Sequence, residues 1–128
     1  MNQIRKQLRE QLTVTPENAH GQTFRAAMAL PPEFAGFRGH FPGSPVLPGV
    51  CLLASVILAA EVSLRKPLRI TQIRSAKFFS PVGPNERIEI RGSVNAKQTP
   101  HAVKGDVVCG DRKVAKVLLF AQPAGDDD

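Results

Sequence analysis

Tryptophan and tyrosine are absent, and seven phenylalanines supply all the aromatic surface. No recognised nucleic-acid motif accompanies the net charge of +6, and the basic residues are spread along the chain. Both facts argue against a nucleic-acid role and for a solvated basic surface. An acidic protein partner fits that charge better than DNA or RNA. Cysteine is scarce as well. Cys51 and Cys109 lie far apart, neither belongs to a Cys-x-x-Cys pair, and the three histidines are scattered. No zinc pattern results, so no metal is expected and both cysteines are expected as small buried residues. The first twelve residues, MNQIRKQLREQL, hold no apolar core of signal-peptide length. The longest apolar stretch, 50–64, is interrupted by Ser55, Glu61 and Ser63. As a helix it would cover about 22 Å, against a bilayer core of about 30 Å. A buried helix is therefore expected, with no membrane span and, by default, a cytoplasmic location.

What is present describes one soluble globular domain over residues 1–128, with 42% hydrophobic and 22% charged residues. Ile4, Leu8 and Leu12 stand at four-residue spacing. Residues 1–12, otherwise poorly defined, could be a short amphipathic helix or could lead into a strand through QLTVT. TPENAHGQ is turn chemistry and TFRAAMAL (23–30) reads as a strand, so the two segments would form a hairpin. Residues 31–49 hold five of the eleven prolines and four of the ten glycines. An ordered irregular segment of that length in a small domain is often functional. Pro48, suited to a first helical turn, delivers the chain into a helix over about 49–64, apolar nearly all round and hence buried. Arg65 and Lys66 suit its carboxyl end and Pro67 stops it.

Strand patterns follow. LRITQIRSAKFF (68–79) is the first, and SPVGPNE is its turn. RIEIRGSVNAK comes next, with Ile88, Ile90 and Val94 on one face; HAVKGDVVC and KVAKVLLFAQ then flank a tight turn at Gly110-Asp111. Residues 122–128, ending in GDDD, read as a flexible acidic tail. The expected class is α+β: five or six antiparallel strands bent around one central buried helix.

That order, together with HFPGSPVLPGV (40–50), resembles the 3-hydroxyacyl-[acyl-carrier-protein] dehydratases, which have the hot-dog fold. The likeness runs from about Gln22 to Ala121. SAKFFSPVGPNERIEI resembles the family's strand–turn–strand segment, whereas its usual N-terminal segment is not recognisable. The resemblance implies a dimer, homo- or hetero-oligomeric, with the acyl thioester in a tunnel at the interface and no cofactor. The substrate would ride on acyl carrier protein or coenzyme A. His40 would be the loop base that removes the proton beside the thioester carbonyl. The amides of Gly49 and Val50 would hold the carbonyl oxygen, and Phe41, Val46, Ala54, Ser55 and Leu58 would line the tunnel.

The chemistry explains those parts. A weakly acidic carbon needs a base with a pKa near neutrality, which suits an imidazole. The developing enolate oxygen needs fixed donors, helped by the positive end of a helix dipole. Hydroxide leaves poorly, so an acid must protonate it. In the family that acid stands fourteen residues after the loop histidine, where this chain has Ala54; the next turn, where many relatives carry a glutamine, has Leu58. Glu61 lies about 10 Å farther along the axis and reads as an exposed acid near the helix end. Ser55 and Cys51 are close to the right turn, and neither is a competent acid without activation. His20 and His101 are expected at the surface. Arg38, Arg65, Lys66, Arg69, Arg74 and Lys77 are candidates for contacting an acidic carrier protein or a phosphopantetheine phosphate.

Overall fold

The computed structural model describes residues 2–38 and 43–124. Helix α1 (Asn2–Gln11) leads into the hairpin β1 (Thr13–Pro16) and β2 (Thr23–Met28). An irregular segment with a short 3₁₀ turn (Ala35–Phe37) precedes helix α2 (Gly49–Leu64). Then come β3 (Leu68–Phe78), β4 (Ile88–Asn95), β5 (His101–Cys109) and β6 (Arg112–Pro123). All strands pair antiparallel in one sheet of order β1-β2-β4-β5-β6-β3. The hairpin, the buried helix and the following four strands stand where the sequence predicts them.

The sheet's inner face is written in its alternation. Phe24, Ala26 and Met28 on β2, Ile88, Ile90 and Val94 on β4, and Val103 and Val107 on β5 are all buried against α2. On α2 the core extends over Cys51, Leu52 and every residue from Ala54 to Ala60, so the helix is enclosed on most sides. At β4 a close approach requires glycine: a Cβ at Gly92 would lie 2.1 Å from the Phe24 ring. β3, one of the sheet's two edge strands, shifts register against β6 between Ile70 and Gln72 and again between Ile73 and Ser75. Extra residues of this kind bend a strand and increase its twist, which helps the sheet curl around a helix.

Several expectations change. Of the two alternatives for the poorly defined first twelve residues, the amphipathic helix is the one formed, over residues 2–11. Leu8 is fully buried and the Gln7 Oε1 accepts the Ala35 amide at 2.9 Å, so α1 is anchored to the segment before α2. Glu61 is buried, not exposed. Its carboxylate is ion-paired with Arg5 of α1, and its Oε2 accepts the Leu68 amide at 2.6 Å. His101 is also buried, because strand parity puts it on the same face as Val103 and Val107. Its Nδ1 donates to the Gln98 carbonyl at 2.7 Å, and its Nε2 finds no partner among the described residues. His20 is exposed, as expected. Pro48 is the N-cap rather than a first-turn residue. Cys51 is buried, whereas Cys109 is only half-buried beside Glu86. Gln122 and Pro123 belong to β6, and the Ala124 amide donates to the Pro67 carbonyl at 3.0 Å, so the ordered chain outlasts the predicted tail boundary.

Candidate active site

The amino end of α2 is set by a local clamp. The Leu47 amide donates to the Val82 carbonyl at 2.7 Å, tying the segment before the helix to the β3–β4 turn. That turn is braced in its own right. Glu86 Oε1 accepts the Gly83 amide at 2.8 Å, and its Oε2 receives Arg112 at 3.0 Å and the Cys109 thiol at 3.8 Å. The Gly83 amide, then the Arg112 guanidinium, hold the Glu86 carboxyl below the usual glutamate range. Arg112 also donates to the Pro81 carbonyl at 3.2 Å. The one sign of this brace in the local sequence is the acid three residues after the turn glycine.

Pro48 caps the helix without a side-chain hydrogen bond, since proline offers none. Its carbonyl receives both the Cys51 amide at 2.9 Å and the Leu52 amide at 3.3 Å. The Gly49 and Val50 amides therefore have no acceptor inside the helix, at the end where the dipole is positive. Val50 is 61% exposed. Gly49 lies under a neighbouring ring, for a Cβ there would be 2.9 Å from Cζ of Phe78. Two amide donors without helical acceptors thus lie at this end, beside the Phe78 ring and the exposed Val50 side chain, and Ile73 and Phe79, on or next to the same edge strand, are exposed as well. Exposed apolar side chains alongside an unpaired strand edge are features that soluble proteins ordinarily cover.

Of the expected tunnel residues, Val46 is half-buried just before the helix, and Ala54, Ser55 and Leu58 lie in the core along α2. Ser55 spends its hydroxyl on the helix: its Oγ donates to the Cys51 carbonyl at 2.7 Å. Burial pushes the Cys51 thiol up, keeping it neutral. His40 and Phe41 lie outside the described residues. Glu61 is the one carboxylate of α2. It sits about 18 Å along the axis from Gly49. Engaged by Arg5 and Leu68, it is not available to the helix's amino end. Arg38, Arg65, Lys66, Arg69, Arg74 and Lys77 are all exposed, and they divide among the 3₁₀ turn, the far end of α2 and strand β3 rather than gathering at Gly49. Among the described residues no three His, Cys, Asp or Glu side chains converge on a metal site, and no helix is long and apolar enough to cross a membrane.

Known proteins agree with this architecture. The family model described as ApeI-like, ApeI dehydratase, matches residues 16–115. The 3-hydroxyacyl-[acyl-carrier-protein] dehydratase FabZ of Caulobacter vibrioides is 33% identical over 95 residues, covering 66% of this chain and 59% of that one. FabZ of Hydrogenobaculum sp. is 28% identical over 95 residues, covering 66% and 64%. The chain thus spans about three-fifths of the length of these curated relatives. Among solved structures, the dehydratase heterocomplex ApeI:P from Xenorhabdus doucetiae superposes with a TM-score of 0.71 at 23% identity, covering 86% of this chain and 94% of that one. A hypothetical thioesterase with coenzyme A from Streptococcus pneumoniae gives 0.67 at 12% identity, covering 91% and 88%. At those identities the two structures speak for the hot-dog fold alone.

Proposed function

The chain belongs to the ApeI-like dehydratases, hot-dog proteins of the 3-hydroxyacyl-[acyl-carrier-protein] dehydratase kind, and from that premise we propose that it binds a 3-hydroxyacyl thioester for dehydration. The thioester, carried by acyl carrier protein or coenzyme A, lies in a tunnel where two hot-dog subunits meet along β3. His40 takes the proton from the carbon beside the carbonyl. The carbonyl oxygen, gaining charge as that C–H bond breaks, is held by the Gly49 and Val50 amides. The carbon–carbon double bond forms as the C3–O bond breaks, and the hydroxyl departs as water once protonated. Phe41, Val46, Ala54, Ser55 and Leu58 shape the acyl channel. The observation that carries this reading is the pair of helix-terminal amides left without helical acceptors after Pro48, next to the exposed side chains of Val50 and Phe78. Turnover of a 3-hydroxyacyl carrier substrate by the native chain, lost in His40→Ala, is the expected result. Equal residual rates from the two forms would reject it.

A second reading concerns the acid. Ala54 stands where the family keeps its carboxylate, and Glu61 is committed to Arg5 and Leu68. This favours a subunit that lends His40 and its amides to a site whose acid comes from a related hot-dog partner. Without a general acid the reaction runs slower by about 10² to 10⁴. Mixing with a carboxylate-bearing hot-dog protein from the same cell should recover that factor. A stable homodimer indifferent to any such protein would contradict it.

A further inference from the structure

The far end of α2 carries a feature that the thioester site does not use. Residues of α1 and of the α2 carboxyl end enclose a cleft of about 480 Å³ lined by Arg5, Arg9, Glu61, Arg65 and Lys66, with Val62 and Pro67 beside them. Arg5 neutralises Glu61, whose other oxygen is taken by the Leu68 amide. Among the described residues no carboxylate pairs with Arg9, Arg65 or Lys66. The cleft thus holds an excess of three cations.

That convergence works against itself unless something anionic fills it. Arg5 and Arg9 stand four apart on α1, a like-charge spacing that weakens a helix on its own. Arg65 occupies the left-handed C-cap position (φ 60°) that usually falls to glycine, with its amide on the Glu61 and Val62 carbonyls. A cation at each carboxyl end suits the helix dipole; here α1 and α2 bring theirs, Arg9 and Arg65, to one concavity. The volume is in the range of small-molecule sites and well above that of a bare ion. Arginine forks match phosphate oxygens in pairs, and lysine adds a point charge.

We propose that this cleft is an anion site for a diphosphate group, free or as the ester of a small molecule, bound by Arg9, Arg65 and Lys66 with Arg5 held in place by Glu61. Three cations balance the roughly three charges of a diphosphate near neutral pH. The site is separated from Gly49 by the length of α2, about 22 Å, and does not depend on the dehydratase reading.

The test is calorimetric titration of the full chain with inorganic diphosphate, at fixed ionic strength against sodium chloride, with coenzyme A as the diphosphate ester in a second series. Saturable binding of diphosphate supports the proposal, and tighter binding of the ester supports the esterified form of it. The double variant Arg9→Gln/Lys66→Gln should weaken binding at least about tenfold, since each charged hydrogen bond counts for a factor of that order. Lys104→Gln/Lys113→Gln, which removes the same charge from exposed strand positions, should leave it unchanged. These residues are exposed, so all variants should fold. Heats no larger than those of matched chloride, or equal losses in both double variants, would overturn the proposal.

Discussion

Glu61 separates a structural acid from a surface one by a measurable margin. Replacing it with alanine removes the acceptor of the buried Leu68 amide, a charge-assisted bond of 2.6 Å. Such a bond contributes about 1.5–3 kcal/mol. It also frees Arg5, but that side chain is 44% exposed, so water takes over its solvation and the loss there is about 0.2–1 kcal/mol. Glu61→Ala should therefore cost about 2–4 kcal/mol in equilibrium urea unfolding. Glu61→Gln keeps an acceptor for Leu68 and gives up only the charge, for about 1–2 kcal/mol. Arg5→Ala leaves a buried carboxylate with one donor and should fall between, at about 1–3 kcal/mol. The order alanine, then Arg5→Ala, then glutamine is the signature of a carboxylate bridging α1, α2 and β3. If all three variants lie within about 0.5 kcal/mol of the native chain, as exposed substitutions do, that bridge does not exist in solution.

Two further effects follow from contacts already described. Gly92→Ala places a methyl 2.1 Å from the ring of fully buried Phe24, and overpacking of this kind costs about 1–3 kcal/mol by thermal or urea unfolding; an unchanged midpoint would mean the ring is not seated there. Glu86 has a carboxyl lowered by the Gly83 amide and Arg112, so its stabilisation is complete above the ordinary glutamate pKa of about 4.3 and fades as pH falls through the lower folded value. The side chain is 37% exposed, which limits its contribution to about 0.5–1 kcal/mol at neutral pH. Glu86→Gln should show that deficit at pH 7 and converge with the native chain in acid, as read from unfolding midpoints across the pH range; a gap that persists or widens in acid contradicts it.

Much of the fold is legible because burial imposes its periods on the sequence. Alternation at Ile88, Ile90 and Val94 marks β4, and the all-round apolar run from Cys51 to Ala60 marks a helix enclosed by a sheet. What escapes that reading depends on distant partners. Glu61 looks solvent-facing at a helix end until α1 brings Arg5 across fifty-six positions and Leu68 turns its amide inward. His101 follows two turn-forming residues and reads as surface, yet the parity of β5 turns it into the core. The helix-terminal amides at Gly49 and Val50 are inferable from Pro48 and the boundary of α2, whereas the apolar ring beside them depends on where Phe78 crosses that end. The Glu86–Arg112 brace joins two turns whose residues carry no shared pattern.

The most direct measurement is dehydration of a 3-hydroxyacyl thioester by Ala54→Glu, beside the native chain and beside the same change combined with His40→Ala. Position 54 is nearly closed to solvent, so the longer side chain should cost about 1–3 kcal/mol of stability, and circular dichroism must first show a folded protein. A site that has kept its base and carbonyl-binding amides should then gain about 10² to 10⁴ in rate, and lose that gain entirely with His40. A folded Ala54→Glu protein turning over no faster than the native chain would contradict the account.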